Sequence, residues 1–222
     1  MLAAAPPRYA TPNHLAYHQI AAGTLRRNRI EIDVNVTDSS VNYFYGIVTA
    51  SCFARRSEVS CNDVFVRVQK DTGSLSSIKG FEYGNIALHY GDGVIDSNRF
   101  CFDFVRSRGA LIGGYGTCGA TPAPATVTLT NNILESRGRG TIATFYSCGD
   151  ADMVLELTNN TLVSDGTRAV DGYEDPMGPG IMRWSFTNNI IASRSSSGLA
   201  GIAVGTGLID VGVSEGNLIF GF

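Results

Sequence analysis

A pair of asparagines wedged between apolar residues recurs in this chain: "LTNNILES" at 129–136, "LTNNTLVS" at 157–164 and "FTNNIIAS" at 186–193. With the second asparagine as marker, the series becomes Asn28, Asn62, Asn98, Asn132, Asn160, Asn189 and Asn217, at intervals of 34, 36, 34, 28, 29 and 28 residues. Self-similarity at such a period is the signature of a repeat architecture. Two positions after each marker the residue is always apolar (Ile30, Val64, Phe100, Leu134, Leu162, Ile191, Ile219). Three positions before it, six of seven are apolar (Leu25, Val59, Ile95, Leu129, Leu157, Phe186), and Ser214 is the exception.

The two apolar positions are five apart, whereas residues on one face of an uninterrupted strand are separated by even numbers. A corner must therefore break the strand, and asparagine accepts the left-handed backbone that a corner requires. Between Asn132 and Asn160 the chain adds "GTIATFYS", so that each repeat holds three short β-prone pieces joined by Gly, Asp or Asn turns. No segment sustains the apolar spacing of a helix. Strands that stack on their counterparts one repeat later are parallel, and crossovers between parallel strands are right-handed. The segment "LELTNNTL" also fits the strand-and-asparagine core of a leucine-rich repeat. Its continuation, rich in glycine and β-branched residues, favours a β-solenoid instead.

The predicted class is therefore all-β: a right-handed, single-stranded parallel β-helix of about seven rungs, three short strands per rung, over residues 25–222. Residues 1–24, with adjacent prolines at Pro6 and Pro7, are expected to form an irregular N-terminal cover. The last repeat stops at "GNLIFGF" with no polar cap. Either further C-terminal rungs or an end-to-end contact with another chain is expected to shield it.

"TNNIIAS" followed a coil later by "VSEGNLIFG" resembles the rungs of right-handed parallel β-helix repeat proteins of the pectate-lyase-like superfamily. The resemblance spans roughly residues 25–222. It implies an extracellular or cell-surface setting and polysaccharide as ligand or substrate. The family's catalytic signatures (W-I-D-H, R-x-P-x-x-R, N-T-D, G-H-G) are missing, so no catalytic residue is carried over.

Composition bears on partners. Glycine supplies 26 of 222 residues, in keeping with a turn-rich β protein. A net charge of −3 and a pI near 5.6 give no overall basic field, which argues against nucleic acid. No stretch approaches the ~20 apolar residues of a membrane span, and the first residues lack a secretory-signal pattern. No Cys-x-x-Cys or His-x-x-x-His motif occurs, so a zinc site is not expected.

The candidate chemistry lies past the first strand of each repeat, where a basic series runs through Lys70, Arg106, Arg108, Arg137, Arg139, Arg168 and Arg194. Stacked into one column, these cations would invite an anionic polymer such as a uronic-acid polysaccharide. The competing reading is that nearby acids (Asp71, Asp103, Glu135, Asp165) neutralise the column. If the site is catalytic, β-elimination is the natural reaction, with Arg106, Arg108, Arg137 and Arg139 as catalytic candidates. Lys70, Tyr115, Arg168 and Arg194 are then substrate-binding candidates. The alternative is a non-catalytic structural or adhesive surface protein.

No cofactor is required by this scheme. Asp171, Glu174 and Asp175, in the acidic stretch 164–180, are hard oxygen ligands suited to Ca2+, but the stretch lacks the spacing of an EF-hand and a solvated, proline-punctuated loop is the favoured reading. Cys118 and Cys148 occupy similar places in adjacent repeats, and the rung spacing suits a disulfide. Cys52 and Cys61 form the second candidate pair, with free thiols as the alternative.

Overall fold

Alternation decides what each strand buries, and the coil decides what lies above and below it. The computed structural model describes residues 14–20, 24–36, 43–49, 57–70, 77–83, 92–105, 110–115, 125–138, 141–147, 152–165, 168–174, 181–194, 200–204 and 209–221. In part of these, chiefly in the first sheet, only the backbone is described. The described residues form 21 strands in three seven-stranded sheets whose every pairing is parallel. Each coil contributes one strand to each sheet, which gives seven coils.

The first sheet contains β1 (His14–Ile20), β4 (Tyr43–Thr49), β7 (Ser77–Tyr83), β10 (Ala110–Tyr115), β13 (Thr141–Ser147), β16 (Arg168–Glu174) and β19 (Ala200–Val204). The second contains β2 (Thr24–Arg26), β5 (Ser57–Ser60), β8 (Gly93–Asp96), β11 (Ala125–Thr130), β14 (Met153–Thr158), β17 (Met182–Thr187) and β20 (Ile209–Glu215). The third contains β3 (Arg29–Val36), β6 (Asp63–Lys70), β9 (Arg99–Val105), β12 (Ile133–Gly138), β15 (Thr161–Ser164), β18 (Ile190–Ser193) and β21 (Leu218–Phe220).

The first coil begins earlier than the asparagine phase indicates. Residues 14–20, assigned above to an irregular cover, form a strand that pairs in register with β4, His14 beside Tyr43. The marker series could not reveal it, because this strand precedes the first marker.

The interior is built from columns of like residues. Leu25, Val59, Ile95, Leu129, Leu157 and Phe186 stack along the second sheet, and Val64, Phe100, Leu134, Leu162 and Ile191 along the third, all buried. Burying a side chain the size of Phe100 or Phe102 stabilises the fold by about 2 kcal/mol. Trp184 and Phe186 meet edge to face, their ring centroids 5.6 Å apart.

Between the second and third sheets the marker asparagines turn inward and form a ladder. The backbone N–H and Nδ2 of each of the first six markers both donate, at 2.9–3.0 Å, to the Oδ1 of the marker one coil on. From Asn62 onward the other Nδ2 proton goes to a backbone carbonyl one coil back, as from Asn132 to Ile95 at 2.8 Å, whereas that of Asn28 goes to Arg26 in its own coil. Asn62, Asn98, Asn132, Asn160 and Asn189 are buried, and this network satisfies their polar atoms.

The left-handed residue at each corner is the one before the marker. Arg27, Cys61, Ser97, Asn131, Asn159 and Asn188 have φ between 55° and 57°, and Gly216 has φ 64°. The marker must face inward to reach both neighbouring coils, so the strained turn falls to the outward-facing residue before it.

The last coil differs from the others. A register shift between Trp184 and Ser185 lets β20 slip past β17, with Val213 rather than Gly212 opposite Ser185. Val211, Val213, Leu218, Ile219 and Phe220 are 44–56% exposed, since no described coil lies beyond them.

Candidate functional site

On the third sheet every second residue points outward, and register turns these residues into columns. The column beside the corner reads Arg29, Asp63, Arg99 and then Ile133, Thr161 and Ile190. The middle column starts Glu31, Phe65, Cys101, Glu135. The outer column starts Asp33, Arg67, Asp103, Arg137. Acid and base alternate from coil to coil in the first and third columns, in opposite phase.

A groove of about 290 Å³ opens on this face, lined by Arg29, Ile30, Glu31, Asp63, Val64, Phe65, Arg99, Cys101 and Arg137. The outer column is internally neutralised: Arg67 lies 3.9 Å from Asp33 and 3.7 Å from Asp103. Exposed pairs at such distances contribute little stability. Further along, Glu135 accepts from Arg137 at 3.0 Å and from Arg194 at 2.7 Å, and Arg194 also donates to Asp165 at 2.7 Å. Burial alone would raise the Glu135 carboxyl, but the two arginine bonds outweigh it and hold the group below its ordinary range. Arg194 is likewise pulled down by burial and carried above its ordinary value by Glu135 and Asp165.

Arg29, Asp63 and Arg99 behave differently. All three are exposed, and none makes an ion pair or side-chain hydrogen bond among the described residues. Their side chains are available to a ligand. Beside them the Cys101 thiol is pushed up to about 11 by burial and by the nearby Glu135 and Asp103 carboxylates, so it is neutral near pH 7. The groove thus offers guanidinium forks, a carboxylate that accepts hydroxyl donors, and the half-buried ring of Phe65. That set suits recognition of a polyhydroxylated ligand.

Among the residues proposed from sequence, Arg137 lines this groove, but bound to Glu135. Arg194 lies beyond it in the ion-paired cluster. Lys70 ends β6, opposite Val36, with its side chain outside the described set. Arg168 opens β16 in the first sheet, opposite Ala200, and Tyr115 ends β10 opposite Tyr146. The basic series therefore does not stack into one column. A fixed offset from the marker falls on different sheets, because β6 has eight residues and β15 four. Arg106, Arg108 and Arg139 lie outside the described residues.

The stretch 164–180, expected as a loop, contains the strand β16, which carries Asp171 and Glu174. Their side chains, and Asp175 altogether, lie outside the described set. Among the described residues no cluster of three or more metal-binding side chains occurs. Cys61 is a free, exposed thiol at a corner, which overturns its expected pairing with Cys52, and Cys101 is free and buried. Cys52, Cys118 and Cys148 fall outside the described residues.

Sequence reading passed over Arg29, Asp63, Phe65 and Arg99. The signal was present in "NRIEID", "NDVFVR" and "NRFCFD", where the first and fifth residues after each marker carry opposite charges. Compared with family models, curated proteins and solved structures, the chain matches none of them.

Proposed function

We propose that this protein is an extracellular or surface-exposed polysaccharide-interacting β-solenoid of the pectate-lyase-like type, with the outer face of the third sheet as its carbohydrate surface. The observation that carries the proposal is that Arg29 and Arg99, on either side of Asp63, make no ion pair among the described residues and line one groove together with Phe65 and Cys101. Arginine forks bind carboxylates bidentately, which supports an acidic, uronate-containing ligand. Lyase-like β-elimination, with Arg106, Arg108, Arg137 and Arg139 as its candidates, belongs to the same proposal.

The test is a binding and degradation screen against pectate, alginate and glycosaminoglycans, with and without Ca2+, for which Asp171, Glu174 and Asp175 are the proposed ligands. The wild type is compared with Arg29→Ala/Arg99→Ala and Arg106→Ala/Arg137→Ala double variants. Binding lost in the first double variant supports the groove, and unsaturated products lost in the second support the lyase. If no acidic polysaccharide is bound, the proposal fails.

A second reading, a non-catalytic structural or adhesive rod, is favoured by the Glu135, Arg137, Asp165 and Arg194 cluster, whose cations are already partnered. It gains if binding is absent while the fold stays intact in every variant.

A further inference from the structure

The column Arg29, Asp63, Arg99 has the charge order plus, minus, plus at successive coils. Strands within a sheet stand ~4.8 Å apart, so the two arginines sit about 10 Å apart with the aspartate midway. An extended hexose unit is similar in length to one such step. A polysaccharide running along the solenoid therefore places about one sugar over each coil.

A polymer with a carboxylate on every sugar would satisfy Arg29 and Arg99 but press its middle carboxylate against Asp63. Like charges brought together across an interface select against that partner. An uncharged sugar at the middle position instead donates its hydroxyl or amide protons to Asp63 and rests its apolar face near Phe65, two residues further along the same strand. The groove's overall balance points the same way, since its lining holds three arginines against two acids, Glu31 and Asp63. That is too small an excess for a dense polyanion.

Resting on the carbohydrate reading above, we infer that the ligand of this groove is an alternating copolymer, with one carboxylate-bearing sugar for every uncharged one. Asp63 is its specificity-determining residue. Past Arg99 the column continues as Ile133, Thr161 and Ile190, so charge-based discrimination is confined to the first three coils.

Calorimetry with unsulfated chondroitin oligosaccharides and with oligogalacturonates of equal length tests this on wild type and Asp63→Asn. The wild type is expected to prefer the alternating oligosaccharide by about fivefold, the scale of one exposed charge contact. Asp63→Asn, an isosteric change at an exposed position, is expected to erase the preference by strengthening oligogalacturonate binding. Equal or tighter wild-type binding of oligogalacturonate, or a preference unchanged in Asp63→Asn, overturns the inference and leaves the carbohydrate reading standing. Binding of neither oligosaccharide overturns both.

Discussion

Asn132 points both its backbone N–H and its Nδ2 at a single atom, Oδ1 of Asn160, at 3.0 and 2.9 Å. Its own Oδ1 receives the same two bonds from Asn98. Each interior amide is thereby fixed from both sides, and no rotation of one can be made without orphaning its neighbours.

Replacing Asn132 by alanine strands the Asn98 donors and the Ile95 carbonyl in a buried site. With each orphaned group costing about 1–3 kcal/mol, a loss of about 3 kcal/mol or more is expected. Asn28, part-buried at the start of the ladder, is expected to lose far less on the same change. Urea denaturation of the two variants checks the ranking, and equal losses would contradict the ladder's role.

The Ser136 hydroxyl is buried and has no hydrogen-bond partner among the described residues. Ser136→Ala removes an unsatisfied polar group at little packing cost. A gain of about 1 kcal/mol is expected, read as a higher Tm.

Glu135 links acid stability to the ion-paired cluster. Its folded pKa lies below the ordinary 4.5, because bonds from Arg137 and Arg194 overcome the upward push of burial. A depressed carboxyl stabilises the fold fully above the unfolded value, and the contribution is lost as pH falls through the folded one. Stability should therefore decline below about pH 4.5. Glu135→Gln should flatten that decline while lowering stability at neutral pH, as denaturation across pH 3–7 would report.

Thiol reactivity separates the two described cysteines. Burial, with Glu135 next, holds Cys101 protonated to about pH 11, whereas Cys61 stands exposed at its corner. Alkylation of the native protein at pH 8 should modify Cys61 at least about tenfold faster, as peptide mass mapping would show. The same map after denaturation without reductant reads whether Cys118 and Cys148 are joined.

Gly216 takes the corner in the last coil at φ 64°, and a Cβ there would run into the Asn188 side-chain amide. Gly216→Ala is expected to cost about 1 kcal/mol. Gly212, whose nearest neighbour to an added Cβ is the Trp184 carbonyl at 3.9 Å, should accept alanine with a smaller loss. Paired melting curves test the contrast.

The coil was legible because burial repeats where backbone geometry repeats: the −3 and +2 positions around Asn98, Asn132 and Asn160 are apolar since each faces the same interior. The corner was legible to within the asparagine pair, but not which of the two turns the chain. Composition at Asn131 and Asn132 is identical, and only the hydrogen-bond network distinguishes the turning residue from the inward one. The candidate site was less legible still. Outward charges acquire meaning from the neighbouring coil, so Arg137 looked free in sequence until Glu135 bound it, while the opposite charges one and five residues after Asn28 and Asn98 did not tell that Arg29 and Arg99 are the ones with no ion pair among the described residues.

The intervals between laddered asparagines range from 28 to 36 residues, yet every rung bond keeps the same length within 0.1 Å. Length differences are thus absorbed outside the interior columns. The asparagine row serves as a datum line: changes in the number of residues between two markers leave the register of the coils along that row unshifted.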